Sequence, residues 1–394
     1  MRVAAICTTY YAKSHADAIV GKFIKGMSTD EGFFPPEVDL VSIYIDHILE
    51  NDIGVELARA HGIPVYPSIR RALLAGENEL AVDAVLLIGE HGDYPWNERG
   101  RHMYPRRYLF EQIAGVLAES GRAIPVFNDK HFAYAFDDAL WVWRRAAELE
   151  IPLMAGSCLP LAWRDPSLEY GRGIELDEAL AIGYGGIEAY GYHTIETLLC
   201  MAERRAGGER GVRCVQYVEG DDVWRARDAG RFSGALADAA WTAMQGTGPV
   251  ESAAERPVAF LFTHADGLQS TCLMLNGAVQ SWSYAERGAA GLQATEFYLQ
   301  PDGPGASFGY LCRNIQVFFQ TANAPYPAER TLLATGMIDA VMNSRYERGR
   351  TIETPWLDVT YRAADVDPIR PSGSRPCGAS LDRSAPDLLI EWRD

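Results

Sequence analysis

Val82-Asp83-Ala84-Val85-Leu86-Leu87-Ile88-Gly89 is the strongest strand signal in the chain: an apolar run without alternation, ended by glycine. Such a run belongs in a parallel sheet, where both faces of a strand are covered. Upstream, Val3 to Cys7 (VAAIC) and Val38 to Ile45 (VDLVSIYI) have the same character, Pro64 to Tyr66 is a shorter strand, and Ala123 to Phe127 follows downstream. Between them lie helical patterns. Ala16, Ile19, Val20, Phe23 and Ile24 recur at helical spacing; Glu50 to His61 is stopped by Gly62, Ile69 to Ala75 by Gly76, and Phe110 to Ser120 by Gly121. Strands alternating with helices predict right-handed β-α-β units. Residues 1–150 are therefore expected to form a Rossmann-like, doubly wound α/β domain.

After about residue 150 the pattern changes. A helix is expected over His193 to Arg205, stopped at Gly207-Gly208. Strand-like runs then follow at Val212 to Val218, Val258 to Thr263, Ser270 to Leu275, Val279 to Tyr284 and Thr295 to Leu299. Asp266-Gly267 and Asn276-Gly277 suit tight turns, so the strands flanking each should pair antiparallel. A late helix, Arg330 to Met342, precedes Leu357 to Tyr361. Residues 151–362 thus read as an α+β domain with an open, mainly antiparallel sheet. The tail, 363–394, is rich in Pro, Ser and Gly and is expected to be irregular, with Leu388 to Trp392 docking back.

A length of 394 residues suits two or three domains, and 48% hydrophobic with 23% charged residues is ordinary globular composition. Lys plus Arg is 36 against 53 Asp plus Glu, a formal charge of −17. That balance excludes a general basic footprint for nucleic acid or an anionic membrane and leaves a small-molecule substrate as the expected partner. Seven cysteines without a C-x-x-C pair signal neither a disulfide scaffold nor a zinc ribbon, and suit a reducing cytoplasm. The N-terminal apolar run is too short for a secretory leader, and no stretch approaches the length of a membrane span.

In a doubly wound sheet, ligands bind beyond the carboxyl ends of the strands. Four such ends carry polar residues here: Thr8-Thr9-Tyr10 with Ser14-His15, Asp46-His47, Glu90-His91-Gly92-Asp93, and Asn128-Asp129-Lys130-His131. The loop after Gly89 continues to Tyr104-Pro105-Arg106-Arg107, either arginine being able to clamp a carboxylate or phosphate. Adjacent arginines usually point apart, so one at most is expected to do so. His91, Asp93, Asp129 and His131 are the residues from which a divalent metal site would be assembled. Ser157-Cys158 is a possible reactive pair, although a buried cysteine is usually inert.

The order of these segments resembles the Gfo/Idh/MocA family of glucose-fructose oxidoreductase and inositol dehydrogenase type, over residues 1 to 362. The family's G-x-G-x-x-G-x-x-H is matched in spacing up to His15, with Cys7, Thr9 and Ala12 at the glycine positions. Its acidic residue after the second strand is matched by Asp46, and its glutamate-lysine-proline motif by Asp129-Lys130-His131. Its G-G-x-x-x-D-x-G-x-H-x-x-D segment is matched by Gly185 to Glu196, with Ala189 in place of the aspartate and Glu188 one position away. The resemblance implies an NAD-dependent oxidoreductase acting on a sugar, cyclitol or related polyol, with Lys130, His193 and Asp129 as catalytic residues. Thr8, Thr9, Tyr10, His15, Asp46, Glu90 and His91 would face the cofactor, and the Asp46 charge would favour NAD over NADP. Arg106, Arg107, His131, Glu188, Tyr192 and Glu196 would face the substrate. His193 is expected to open its helix, whose amides would keep the imidazole neutral. It also implies a homo-oligomer formed through the open sheet. The alternative is a metal-dependent hydrolase or lyase that has lost the dinucleotide, and a third is a non-catalytic binding protein on the same fold.

Overall fold

In the computed structural model, which describes residues 1–299, 306–365 and 367–371, the N-terminal half alternates strands and helices. These are β1 (Arg2–Cys7), α1 (His15–Lys25), β2 (Met27–Thr29), β3 (Gly32–Phe34), β4 (Asp39–Ile45), α2 (Gly54–Ala60), α3 (Ile69–Leu74), β5 (Ala84–Ile88), α4 (Arg106–Ser120), β6 (Val126–Asp129), α5 (Phe136–Glu148) and β7 (Leu153–Gly156). Five of the strands form an all-parallel sheet in the order β4-β1-β5-β6-β7. Its two central strands carry the uninterrupted apolar runs, and from Val3 to Cys7 and Ala84 to Ile88 every residue is fully buried. The fifth strand, β7, lies just beyond residue 150. Gly26 to Pro36 forms the β2-β3 hairpin.

The second half contains β8 (Trp163–Asp165), β9 (Leu176–Gly183), α6 (Ala189–Ala202), β10 (Glu209–Arg210), β11 (Val212–Glu219), α7 (Asp221–Asp228), α8 (Gly234–Ala243), β12 (Val258–His264), β13 (Gln269–Met274), β14 (Trp282–Gly288), β15 (Gly291–Tyr298), α9 (Ala306–Thr321), α10 (Ala328–Tyr346), β16 (Ile352–Glu353) and β17 (Thr360–Tyr361). Eight strands order β16-β11-β12-β13-β9-β14-β15-β8, antiparallel throughout except where β13 meets β9. The Asp266-Gly267 turn closes the β12-β13 hairpin, with His264 N bonded to Leu268 O at 2.9 Å. Asn276-Gly277 does not close one, because β9 lies between β13 and β14. The Asn276 side chain instead brackets the backbone of Gly185, accepting from its N–H at 2.5 Å and donating to its carbonyl at 3.2 Å. The strand at Val279 to Tyr284 is shifted toward the C-terminus, and α7, α8, α9 and β9 are elements for which no expectation was set.

One face of the eight-stranded sheet packs on α6 and α10, and α10 also lies against α5 and β7, joining the two sheets. The opposite face is covered as well. Leu180, Ile182, Ala259, Leu261, Leu273 and Ala285 pack against Val223, Leu236, Ala240 and Trp241 of α7 and α8 in a second apolar core. The sheet is open at its edges, but the face on which a homo-oligomer was expected to form is already buried by this helical insertion. Of the irregular tail only 363–365 and 367–371 are described; Cys377 and the docking of Leu388 to Trp392 lie outside the described residues.

Candidate active site

Register places the loops together. Cys7 pairs with both Ile45 and Ile88, and Leu87 with Asn128, so the segments after β1, β4, β5 and β6 leave the sheet on one rim. Lys130 N bonds to Gly156 O at 3.2 Å, which brings Ser157 to the same rim. From the second domain, α6 supplies Glu188, Tyr192, His193 and Glu196.

Glu90 is the hub. Its buried carboxylate receives Lys130 Nζ at 3.1 Å and the Arg106 guanidinium, and Thr8 Oγ1 donates to its carbonyl at 2.7 Å. Burial opposes the charge on Glu90, but Lys130 and Arg106 outweigh it and hold the carboxyl well below its ordinary range. Gly89 makes this possible: a Cβ there would lie 2.6 Å from Arg106 Cγ. Arg106 is fully buried, lies over the Tyr104 ring at 4.8 Å, and donates to His131 Nε2 at 3.2 Å. Its charge is thus spent inside the protein. Arg107 turns the other way, to Asp138 at 2.6 Å and the face of Trp141. The adjacent arginines diverge, and neither is free to clamp a substrate anion.

His131 must be neutral to accept from Arg106, and burial with the Arg106 charge pushes it down to about 4. Its Nε2 also lies 3.4 Å from Glu188, which Arg101 Nε reaches at 3.1 Å. Arg101, which drew no attention in the sequence, is fully buried and also bonds Asp339 at 3.1 Å. Burial opposes ionisation of Glu188; with His131 neutral, the charges of Arg101 and Arg106 are what hold its carboxyl below the ordinary range. Glu188 therefore belongs to the site through a domain-bridging ion-pair network. Tyr192 is buried with its ring 5.0 Å from that of His131.

His193 lies in the second turn of α6 rather than at its start, so the helix N-terminus is not what governs its charge. Burial does, reinforced by the charge of Lys130, and keeps the imidazole well below its ordinary range. Its Nδ1 sits 3.2 Å from Ser157 Oγ, which donates to Glu196. Cys158 beside it is buried, its thiol pushed up to about 12, and is no nucleophile.

On the nucleotide side, His15 Nδ1 contacts Asp129 Oδ2 at 2.6 Å, while Asp129 Oδ1 is buried without a partner. The β1-α1 turn needs no glycine: Cys7, Thr9 and Ala12 avoid positive φ, and Lys13 takes it at 69°. Two first-turn amides of α1 are already engaged, His15 N by His91 Nδ1 at 3.4 Å and Asp17 N by Ser14 Oγ at 3.3 Å. Tyr10 turns into the core against Gly54, and its carbonyl accepts from Ile53 N at 2.9 Å. Asp46 takes one hydroxyl on each carboxylate oxygen, from Tyr44 and Tyr94, both at 2.7 Å. Tyr94 reaches across from the loop after β5 and stacks on His47 at 4.5 Å. Thr9 Oγ1 is buried with no partner. An orphaned hydroxyl and a carboxylate bound to hydroxyls fit the sugar portion of a dinucleotide, whereas the β1-α1 turn offers no glycine cradle for a pyrophosphate.

The metal alternative is not supported by the arrangement. Asp93 is exposed, Asp129 turns to His15, and His131 to Arg106; among the described residues no group of three His, Cys, Asp or Glu is placed to hold a metal. Nor is any described helix long and apolar enough to cross a membrane.

The buried histidines predict acid sensitivity. His91 and His131, both pushed down chiefly by burial, sit at about 4 against an unfolded value near 6.5. The unfolded chain therefore takes up these protons first, and stability that is complete above pH 6.5 is lost as the pH falls toward 4. For His131 alone the loss at pH 5 is about 2 kcal/mol. Urea unfolding at pH 7 and pH 5 should show it, and equal midpoints would contradict it.

No protein-family model and no curated protein matches the chain. Solved structures do. GenD2 from gentamicin A biosynthesis, in complex with NAD, aligns over 90% of this chain and 96% of its own at 14% identity and a TM-score of 0.55. A putative myo-inositol dehydrogenase from Sinorhizobium meliloti 1021 aligns over 90% and 99% at 16% identity and 0.53. The Lactobacillus casei myo-inositol dehydrogenase, in complex with NAD(H) and myo-inositol, aligns over 90% and 96% at 12% and 0.53. At such identities the likeness speaks for the fold: a Rossmann-like parallel sheet followed by a mixed, mainly antiparallel one, the two-domain architecture of Gfo/Idh/MocA-type dehydrogenases that the order of motifs resembles.

Proposed function

We propose that the protein is an NAD-dependent oxidoreductase acting on a secondary hydroxyl of a sugar, cyclitol or similar polyol. The observation that carries this reading is the pairing, on one rim, of a buried lysine fixed by a carboxylate with a buried neutral histidine. When bound, the nicotinamide would accept the hydride from the carbinol carbon. His193 would take the hydroxyl proton, and the Lys130 ammonium would hold the oxygen as its negative charge develops. Glu90 fixes Lys130 in place, and Asp129 orients His15 beside it. Thr8, Thr9, His15, Asp46 and His91 are the residues that would meet the dinucleotide, Asp46 disfavouring a 2′-phosphate by its charge.

A ribose hydroxyl approaching Asp46 Oδ2 would compete with the phenol of Tyr94 for that oxygen. Tyr94→Phe is therefore expected to bind NAD about tenfold more tightly, since a hydrogen bond to a charged acceptor contributes about 1.5 kcal/mol or more. Thermal shift and calorimetry with NAD and NADP on both proteins test this. If neither nucleotide at millimolar concentration shifts either melting temperature, the dinucleotide reading falls. The engaged amides at the start of α1 favour the second reading that would then stand: a lyase in which Lys130 and His193 move a proton without a redox step.

A further inference from the structure

We infer that Ser157 and Glu196 are positioning residues that fix the tautomer of His193, keeping its proton on Nδ1 and leaving Nε2 as the base. This rests on the reading of His193 as the proton acceptor and on an ionised Glu196, whose carboxyl burial pushes up while the two hydrogen bonds from Ser157 pull it down; hydrogen-bond direction then decides the tautomer. Glu196 Oε1 accepts from Ser157 N–H at 3.0 Å, and Glu196 Oε2 accepts from the Ser157 hydroxyl. A hydroxyl has one proton, so Ser157 Oγ has only lone pairs to offer His193 Nδ1 at 3.2 Å. Nδ1 must then be the donor, and a neutral imidazole has no second proton for Nε2.

The surroundings are built for this chain of bonds. Glu196 lies one helical turn after His193 on α6, its Oε2 3.9 Å from Nδ1. Gly156, at φ 128°, admits the carboxylate; a Cβ there would stand 2.6 Å from Oε1. Both Glu196 and Ser157 are almost wholly buried, so water does not offer competing partners.

The direction of the chain gives an unusual test. In Glu196→Gln the amide carbonyl can still accept from Ser157 N–H, while the amide N–H₂ would donate to Ser157 Oγ. The Ser157 hydroxyl would then turn its proton to His193 Nδ1 and drive the ring to the Nε2–H tautomer. The readout is long-range ¹⁵N–¹H correlation of the histidine-labelled full chain, with neither substrate nor nucleotide present, His193 being assigned by its loss in His193→Gln. The wild type should show Nδ1 protonated, Glu196→Gln should show Nε2 protonated, and Ser157→Ala should show a mixture. Ser157→Thr, which keeps the hydroxyl, should restore the wild-type pattern. Turnover in Glu196→Gln should fall by about 10²–10⁴ in kcat with little change in KM, the size found where an orienting carboxylate is lost. Should Glu196→Gln not fold, Ser157→Ala removes a single oxygen and reads the same nitrogen. An Nε2–H signal in the wild type, or one tautomer unchanged across all variants, overturns the inference. Because no turnover is needed, that failure is separate from failure of the dinucleotide reading.

Discussion

Lys130→Met is expected to lower kcat by about 10²–10⁴-fold while the protein still folds. Lys130 is the cation at the carboxyl end of β6, buried to 3% exposure and held by Glu90 at 3.1 Å. An ammonium in that position can hold an oxygen whose charge grows during reaction, and methionine keeps the side-chain length without the charge. The fold should survive because Glu90 retains Arg106, its other cation. Steady-state kinetics on the substrate, with circular dichroism of the variant alongside, check both halves. Wild-type turnover in Lys130→Met would remove the residue from the chemistry.

Arg106→Met carries the opposite expectation, a large loss of stability. Arg106 holds Glu90 and donates to His131, all three buried where water cannot substitute. Removing Arg106 leaves Glu90 with Lys130 alone, strips His131 Nε2 of its donor and takes a large side chain out of the interior, and breaking such a buried network costs about 3–5 kcal/mol. Part of the cost lies in a buried carboxylate left with one of its two cations, so Glu90→Gln/Arg106→Met should be less destabilised than the sum of its single changes. Urea unfolding of the wild type, both single variants and the double variant reads the coupling. A purely additive result would mean that Glu90 does not depend on Arg106.

How far the sequence disclosed this depended on whether the deciding contact is local. The parallel sheet was legible because β1, β4 and β5 each carry an apolar run that has only one way to be buried. The strand order of the second sheet was not, because β9 (LDEALAIG) inserts between β13 and β14, two strands close in sequence and joined by a turn that looks like a hairpin. Nothing within Ala278 to Tyr284 reports a strand arriving from a hundred residues earlier. The site shows the same division. Its members at the strand ends, Glu90, Asp129 and Lys130, follow from topology. Their partners do not: Arg101 meets Glu188 across the domains, and Ser157 gains its role only because Glu196 points at it from α6. His193 lies on a helix that begins earlier than its sequence pattern suggests, so burial replaces the helix dipole as the cause of its neutrality.

The cover that α7 and α8 place over the second sheet changes how this molecule relates to its own concentration. A β-sheet face closed by another subunit is completed only by collision, so its stability depends on dilution. Here the apolar residues of β9, β12, β13 and β14 are closed by a segment of the same chain, tethered between β11 and β12. Closing that face is a first-order event, available to a single molecule. The apolar face of this sheet is thus completed within one chain, without a second copy as a condition of folding.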